Sequence, residues 1–267
     1  MATNSPRAER AAIMAAGQLG IPSICAVDLF ALQEVQWIGQ PGYATRVCVL
    51  NDSVRRMFLE HGRRSEEIIV TGNPAFDRLT SVAAVDAGAA LRQARGWNDG
   101  LTTVLWASQI EPERHPFTDR CGDPTLPRRV EARLRALVAS DPSFRLVVRY
   151  HPSERVQFRA APRVEFSATS ENIADLLHAV DVVVVTASTV GLEAAIAGRP
   201  VISVDESIFT PDTRYAEMGV ARGVASANEV ASAVREAAAG AGVAFSQGQS
   251  GRSATGEILR VMDSLLS

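Results

Sequence analysis

The sequence predicts an α/β protein in which parallel sheets are covered by helices, and it predicts this twice, in two successive portions. The clearest sign is residues 181–205. There Val182–Val185 and Val201–Val204 are apolar β-branched runs of the kind buried on both faces of a parallel sheet. The helix-forming stretch between them stops at Gly198, with Pro200 beyond it, so the whole reads as one βαβ unit. The second sign is that strand-like and helix-like segments alternate along the chain and restart after Trp97-Asn98-Asp99-Gly100. That turn sets the expected division: a first domain over residues 1–98, a second over 99–251, and a closing helix over 252–267.

In the first portion, Ser5 as cap and Pro6 at the first helical position open a helix over residues 8–19. Residues 21–27 read as a strand that ends at Asp28. The segment 29–43 carries Gln33, Glu34, Gln36, Trp37 and Gln40 with no period and reads as a loop. Residues 46–50 form a second strand. Asn51-Asp52-Ser53 caps a helix that ends at His61-Gly62, and residues 67–70 form a third strand leading into Thr71-Gly72-Asn73-Pro74.

The second portion has strands at residues 102–107, 145–149 and 164–166, and helices at 128–140 and 173–179. The βαβ unit follows, then a loop with Thr210, Asp212 and Arg214. Helices at residues 228–238 and 255–266 close the chain, with a Gly/Ser-rich, mobile-looking stretch at 240–251 between them.

A chain of 267 residues with 46% hydrophobic and 21% charged residues has ample material for one large or two modest soluble domains. A net charge of -3 gives no basic field for nucleic acid. No apolar run approaches the roughly 20 residues that span a bilayer, and the N-terminus lacks the apolar core of a signal peptide. Cys25, Cys48 and Cys121 are odd in number and form no CxxC pair, as expected of reduced thiols. The expectation is a cytoplasmic protein, with a homodimer and peripheral membrane association left open.

The turn between Val185 and the following helix carries the chemistry. Thr186, Ser188 and Thr189 offer hydroxyls where helical N–H groups and the positive end of the helix dipole meet, and Gly191 follows within the first turn. A phosphate or diphosphate suits that place. Glu193 lies about one turn inside, in reach of a ribose diol. The alternative is that Ser188 and Thr189 only cap the helix and Glu193 is solvated.

In parallel sheets ligands bind outside the carboxyl ends of the strands. That rule gathers Ser108, Gln109, His151, Thr186 to Thr189 and Asp205-Glu206 on one rim. His151 follows a strand directly and is fixed by Pro152. It can donate to a phosphate or protonate a leaving oxygen, since its reference pKa is about 6.5. The competing reading is a satisfied surface histidine. His61, His115 and His178 default to surface or cap roles, and Glu111 to Glu113 with His115 reads as a solvated loop. Gly72 and Asn73 read either as an inter-domain turn or as the backbone wall of a cleft. No ligand spacing for a metal and no GxGxxG, P-loop or Gly-x-Ser-x-Gly elbow is present, so no metal and no nicotinamide or flavin cofactor is expected.

The ordered set of residues 69–77, Arg149-Tyr150-His151-Pro152 and residues 181–204 resembles the GT-B glycosyltransferase superfamily. Within it the resemblance is nearest to UDP-N-acetylglucosamine 2-epimerases and to CDP-glycerol glycerophosphotransferase-like or sialyltransferase-like enzymes. It implies two Rossmann-like domains, with a nucleotide-sugar donor held mainly by the second and a final helix crossing back to the first. It further implies that Ser188 and Thr189 meet the donor phosphates beside His151, and that Glu193 binds the ribose.

Two departures stand out. Only about 70 residues precede the Thr71-Gly-Asn-Pro segment, so the first domain is expected to be incomplete, whether as a fragment, a mis-called start or a reduced member. The epimerases carry His-Arg and Ser-Gly-Gly where this chain has His151-Pro152 and Ala187-Ser188-Thr189, which favours transferase chemistry.

The expected activity is transfer of a sugar or glycerophosphate group from a UDP- or CMP/CDP-linked donor to a cell-envelope acceptor. Asp28 or Glu34 would activate the acceptor. The alternatives are a UDP-N-acetylglucosamine 2-epimerase and a non-catalytic nucleotide-binding protein.

Overall fold

The computed structural model describes residues 1–3, 8–240 and 253–266. The Ser5-Pro6 cap, and the Gly/Ser-rich stretch apart from Gly240, lie outside the described residues. The chain forms two compact units, each with its own parallel sheet.

The first unit opens with β1 (Ala2–Thr3), α1 (Ala8–Gln18), β2 (Ile24–Ala26) and the short α2 (Val35–Ile38). It continues through β3 (Arg46–Val49), α3 (Asp52–Glu60) and β4 (Ile68–Val70). The four strands are parallel and stand in the order β1-β2-β3-β4. Asn51 caps α3 by accepting the Val54 N–H at 3.0 Å, as its sequence position predicts.

The segment 29–43, which shows no period in the sequence, and Ala44 just beyond it are held by a side chain from outside them. Arg63 is buried, pairs with buried Glu67 at 2.9 Å, and donates to the carbonyls of Ile38, Gln40 and Ala44. Burial pushes the thiols of Cys25 and Cys48 up to about 12 and about 11, so both stay protonated and inert, whereas Cys121 is exposed.

The second unit takes up the chain at Arg78. It contains α4 (Val82–Ala94), β5 (Thr102–Ala107), α5 (Leu126–Ser140), β6 (Phe144–Arg149), β7 (Val164–Phe166) and α6 (Ile173–Ala179). Then come β8 (Val182–Val185), α7 (Thr189–Ile196), β9 (Val201–Val204), α8 (Thr210–Thr213), β10 (Arg222–Val224) and α9 (Val230–Ala238).

The division after Asp77 falls ahead of the turn at Trp97 to Gly100 that the sequence offers as the boundary. The reason is packing. Gly88 of α4 lets α6 approach so closely that a Cβ there would stand 2.2 Å from the Cβ of His178. Arg92 grips Asp181 with two hydrogen bonds of 3.0 and 3.1 Å, and the His178 ring meets the Leu79 carbonyl at 2.7 Å. Trp97 is not a linker residue: it is fully buried, with its indole N–H on Glu165 at 3.0 Å.

The six strands of this unit are parallel in the order β10-β9-β8-β5-β6-β7. β10 has no counterpart among the expected strands, because Arg222-Gly223-Val224 offers no apolar run. Gly223 is needed there, since a Cβ would meet the Asp205 carboxylate at 2.2 Å.

The closing helix α10 (Ala254–Leu266) belongs to the first unit. Ile258 and Val261 pack with Ile24 and Cys48, and Asp77 caps the helix by accepting the N–H groups of Ala254 and Thr255 at 2.7 and 3.0 Å.

Candidate functional site

The strand order of the second unit locates a crevice. The chain starts its sheet at β5, builds outward through β6 and β7, then crosses to the other side of β5 and builds outward through β8, β9 and β10. The direction reverses between β5 and β8, where the loops after the two strands part. A cavity of about 500 Å³ opens there. It is lined by Gln109 and Ile110 after β5, His151 after β6, Ala187 to Thr189 after β8, and Phe209 after β9. Four predicted site residues, Gln109, His151, Ser188 and Thr189, therefore share one wall-to-wall space.

α7 begins at this cavity. Ser188 is its N-cap, the hydroxyl accepting the Val190 N–H at 3.3 Å and the carbonyl accepting the Gly191 N–H at 2.9 Å. The buried Tyr215 hydroxyl donates to that same carbonyl at 2.8 Å and fixes the turn. Gly191 itself acts by its size: a Cβ would stand 2.8 Å from a methyl of Val185 and 3.0 Å from the Tyr215 ring. Its N–H is committed to the Ser188 carbonyl, and it is not among the residues that line the cavity. The hydroxyl of exposed Thr189 faces fewer demands. Thr186 is buried at the end of β8, and its hydroxyl has no hydrogen-bond partner among the described residues.

His151 is exposed, and its ring is oriented by the backbone that follows. Nδ1 accepts the Ser153 N–H at 3.1 Å, which leaves Nε2 as the donor of the neutral ring. Its own N–H is anchored at 2.7 Å by Glu154, whose other oxygen accepts from Ser108 at 3.0 Å and from Arg128 at 2.6 Å. Ser108 is thus part of the frame of the site.

Glu193 lies outside the cavity lining. Burial raises its pKa, while the guanidinium charges of Arg78 and Arg149 pull it down. Asp205 and Glu206, grouped on the rim by the sequence, serve the sheet's edge instead. Asp205 accepts from Ser203 at 2.7 Å, and Glu206 accepts the Ala227 N–H at 2.7 Å.

The segment after β5 departs most from expectation. Glu111 and His115 are buried, not solvated. Glu111 accepts the Ile208 N–H at 2.6 Å and the Ser207 hydroxyl at 2.8 Å, and burial raises its pKa. His115 takes the Phe117 N–H at 3.2 Å on Nδ1 and meets Asp212 at 3.0 Å through Nε2, beside Arg120. An antiparallel bridge from Arg114 to Cys121 folds the loop back on itself. The result is a pinned hairpin that carries Arg114 and Pro116 into the cavity wall. Arg114 is the functional candidate that sequence reasoning missed, since a single arginine in a polar loop carries no signal of its own.

In the first unit, Asn73 binds the Asp28 carbonyl and, at 3.1 Å, its carboxylate. Asp28 is exposed. The Thr71 to Asn73 segment extends β4, with the N–H groups of Thr71 and Gly72 both on the Val49 carbonyl. Glu34 is half-buried at the start of α2 and makes no side-chain cap.

Among the described residues no group of His, Cys, Asp and Glu is arranged to hold a metal, and no helix is long and apolar enough to cross a membrane.

No family model and no curated protein sequence matches the chain. Solved structures do. UDP-GlcNAc 2-epimerase from Neisseria meningitidis, bound to UDP-GlcNAc, aligns over 99% of this chain and 75% of its own, with a TM-score of 0.62 at 13% identity. A Listeria monocytogenes protein proposed to be a UDP-N-acetylglucosamine 2-epimerase aligns over 98% and 73%, with a TM-score of 0.64 at 15% identity. A variant of the wall teichoic acid polymerase TagF aligns over 84% and 58%, with a TM-score of 0.52 at 12% identity. The chain accordingly shares the fold of these proteins, a GT-B-like fold of two Rossmann-like parallel-sheet units with the smaller sheet first.

Proposed function

We propose that the cavity at the β5/β8 reversal holds the diphosphate of a nucleotide-activated donor, and that the chain transfers a sugar or glycerophosphate group from it. The observation that carries this reading is the convergence of α7's N-terminus, Thr189, Gln109, Arg114 and His151, whose Nδ1 is committed to Ser153, on one space of about 500 Å³. That volume suits a nucleotide-sized ligand.

Its donors are held in advance. Ser188 is clamped by Tyr215, and His151 is clamped by Ser153 and Glu154. Groups fixed in this way stabilise charge that develops on a departing nucleotide without reorganising during the reaction. His151 would donate to, or protonate, the leaving oxygen. Thr186 is assigned as a further donor at the turn and Glu193 as the ribose ligand. Gly72 and Asn73 are kept as donor-side backbone, and Asp28, ahead of Glu34, as the acceptor-activating carboxylate. The acceptor is proposed to belong to the cell envelope, and the protein to work in the cytoplasm.

Calorimetric titration with UDP, CDP and CMP tests the site. His151→Ala combined with Thr189→Val is the informative variant, because Ser188 also caps the helix. Losing two hydrogen bonds to a charged ligand is expected to weaken binding at least tenfold, about 1.4 kcal/mol or more. Failure of all three nucleotides to bind the wild type, or equal binding by the variant, ends this assignment.

The epimerase structures that align with the chain support a second reading, 2-epimerisation of UDP-N-acetylglucosamine. Exchange of the C2 proton followed by NMR separates it from transfer. His151-Pro152 and Ala187-Ser188-Thr189 weigh toward the transferase.

A further inference from the structure

A second cavity, of about 550 Å³, lies between the α5 face and the segment that follows His151. It shares no lining residue with the cavity around Ser188. Its walls carry Arg128 and Arg135 from α5 together with Arg155 and Arg159.

Glu131 is buried between the first two. It pairs with Arg128, accepts from Arg135 at 2.8 Å and takes the Tyr150 hydroxyl at 3.2 Å. The guanidinium of Arg128 lies 4.7 Å over the Tyr150 ring, and that of Arg135 lies 5.4 Å over Phe158. At these distances the ring faces attract the guanidinium charges.

Two features remain unexplained by the fold. Nη2 of Arg135 is buried without a hydrogen-bond partner among the described residues. Arg155 and Arg159 have no carboxylate partner among the described residues. Of the four arginines that line the cavity, Arg128 and Arg135 are paired with Glu131 or Glu154, and Arg155 and Arg159 are left as an excess of positive charge. A buried donor without an acceptor is costly, and natural proteins keep few of them.

We propose that this cavity binds the phosphate group of a second ligand, with the exposed guanidiniums of Arg155 and Arg159 as its donors and Arg135 in the wall beside them. Arginine forks match phosphate oxygens in pairs, and one phosphate has enough oxygens to engage several of them. The proposal does not depend on what occupies the cavity around Ser188. One side chain connects the two places: Glu154 holds Arg128 on this side and the His151 N–H on the other.

Two arms separate a free phosphate from a lipid headgroup. In one, inorganic phosphate is titrated calorimetrically; in the other, the protein is sedimented with phosphatidic acid vesicles against phosphatidylcholine controls. The variant Arg155→Ala with Arg159→Ala removes two exposed side chains that hold nothing else, and an unchanged melting temperature verifies its fold. Binding that falls tenfold or more in this variant, in either arm, supports the site, and the arm in which it occurs names the source. His151→Ala with Thr189→Val is expected to leave that binding within twofold. No wild-type binding in either arm, equal binding by the arginine variant, or binding lost only with His151 and Thr189 overturns the proposal.

Discussion

The two parallel sheets differ in the direction their chains travel. In the first unit the described strands follow sequence order, β1-β2-β3-β4, and each loop passes to the next strand on the same side. In the second the order turns back between β5 and β8, and the loops there part around a cavity. Both sheets carry polar residues at their strands' carboxyl ends, with different outcomes. In the first unit Asn73 closes on Asp28. In the second, Thr189 and His151 both line the cavity, and the His151 ring is oriented by the Ser153 N–H. Similar residue types at similar strand ends thus close on one another in one sheet and open on a cavity in the other, because among the described strands only the second sheet reverses.

Substitutions can break this comparison, and the largest expected effect lies in the first unit. Arg63→Met should destabilise it by about 3–5 kcal/mol, since buried Glu67 loses its buried cation and the carbonyls of Ile38, Gln40 and Ala44 lose their donor. Hydrogen exchange read by mass spectrometry should show the loss in the first unit, with β5 to β10 still protected. Equal loss of protection in both sheets would mean that the two units unfold as one.

Gly191→Val is the matching test in the second unit. Overpacking against Val185 and Tyr215 should cost about 2–3 kcal/mol by urea denaturation and loosen the turn at Ser188. Unchanged stability would show that α7 has room to shift. A smaller effect, about 1 kcal/mol, is expected for Asn73→Ala, which removes the amide contacts to Asp28 and keeps the backbone, and so should leave nucleotide binding to the second unit intact.

The mildest effect concerns pH. Burial raises the pKa of Glu193 above its ordinary value of 4.5, so the folded state binds its proton more tightly than the unfolded chain does. Stability contributed through this group is therefore present at low pH and lost as pH rises from about 4.5 through the folded value. Glu193→Gln should be the more stable protein above that window and show a flatter difference curve against pH. Glu111 and Asp205, raised by burial as well, titrate in both proteins and cancel in the difference. A wild type more stable than the variant at neutral pH would show instead that Arg78 and Arg149 dominate.

Much of the fold was legible because its signals are local. The runs Val182–Val185 and Val201–Val204 are strands, Asn51 and Ser188 are caps, and Gly198 ends its helix with a positive φ of 75°. The order of the loop 29–43 was illegible because it comes from Arg63, a residue beyond its end. β10 was illegible because an edge strand of three residues with a central glycine has no pattern to show.

Sequence by itself determined the α/β class, the parallel strands and the residue types that stand at the strand ends. Each follows from apolar runs, caps and breakers that act within a few residues. Only the tertiary structure decided which of those ends meet. The crossing from β7 back to β8 brings Gln109, His151 and Thr189 to one cavity, sets Glu193 outside its lining, and buries His115 on Asp212. Strand order and burial are set by long-range packing, and no short window of residues records them.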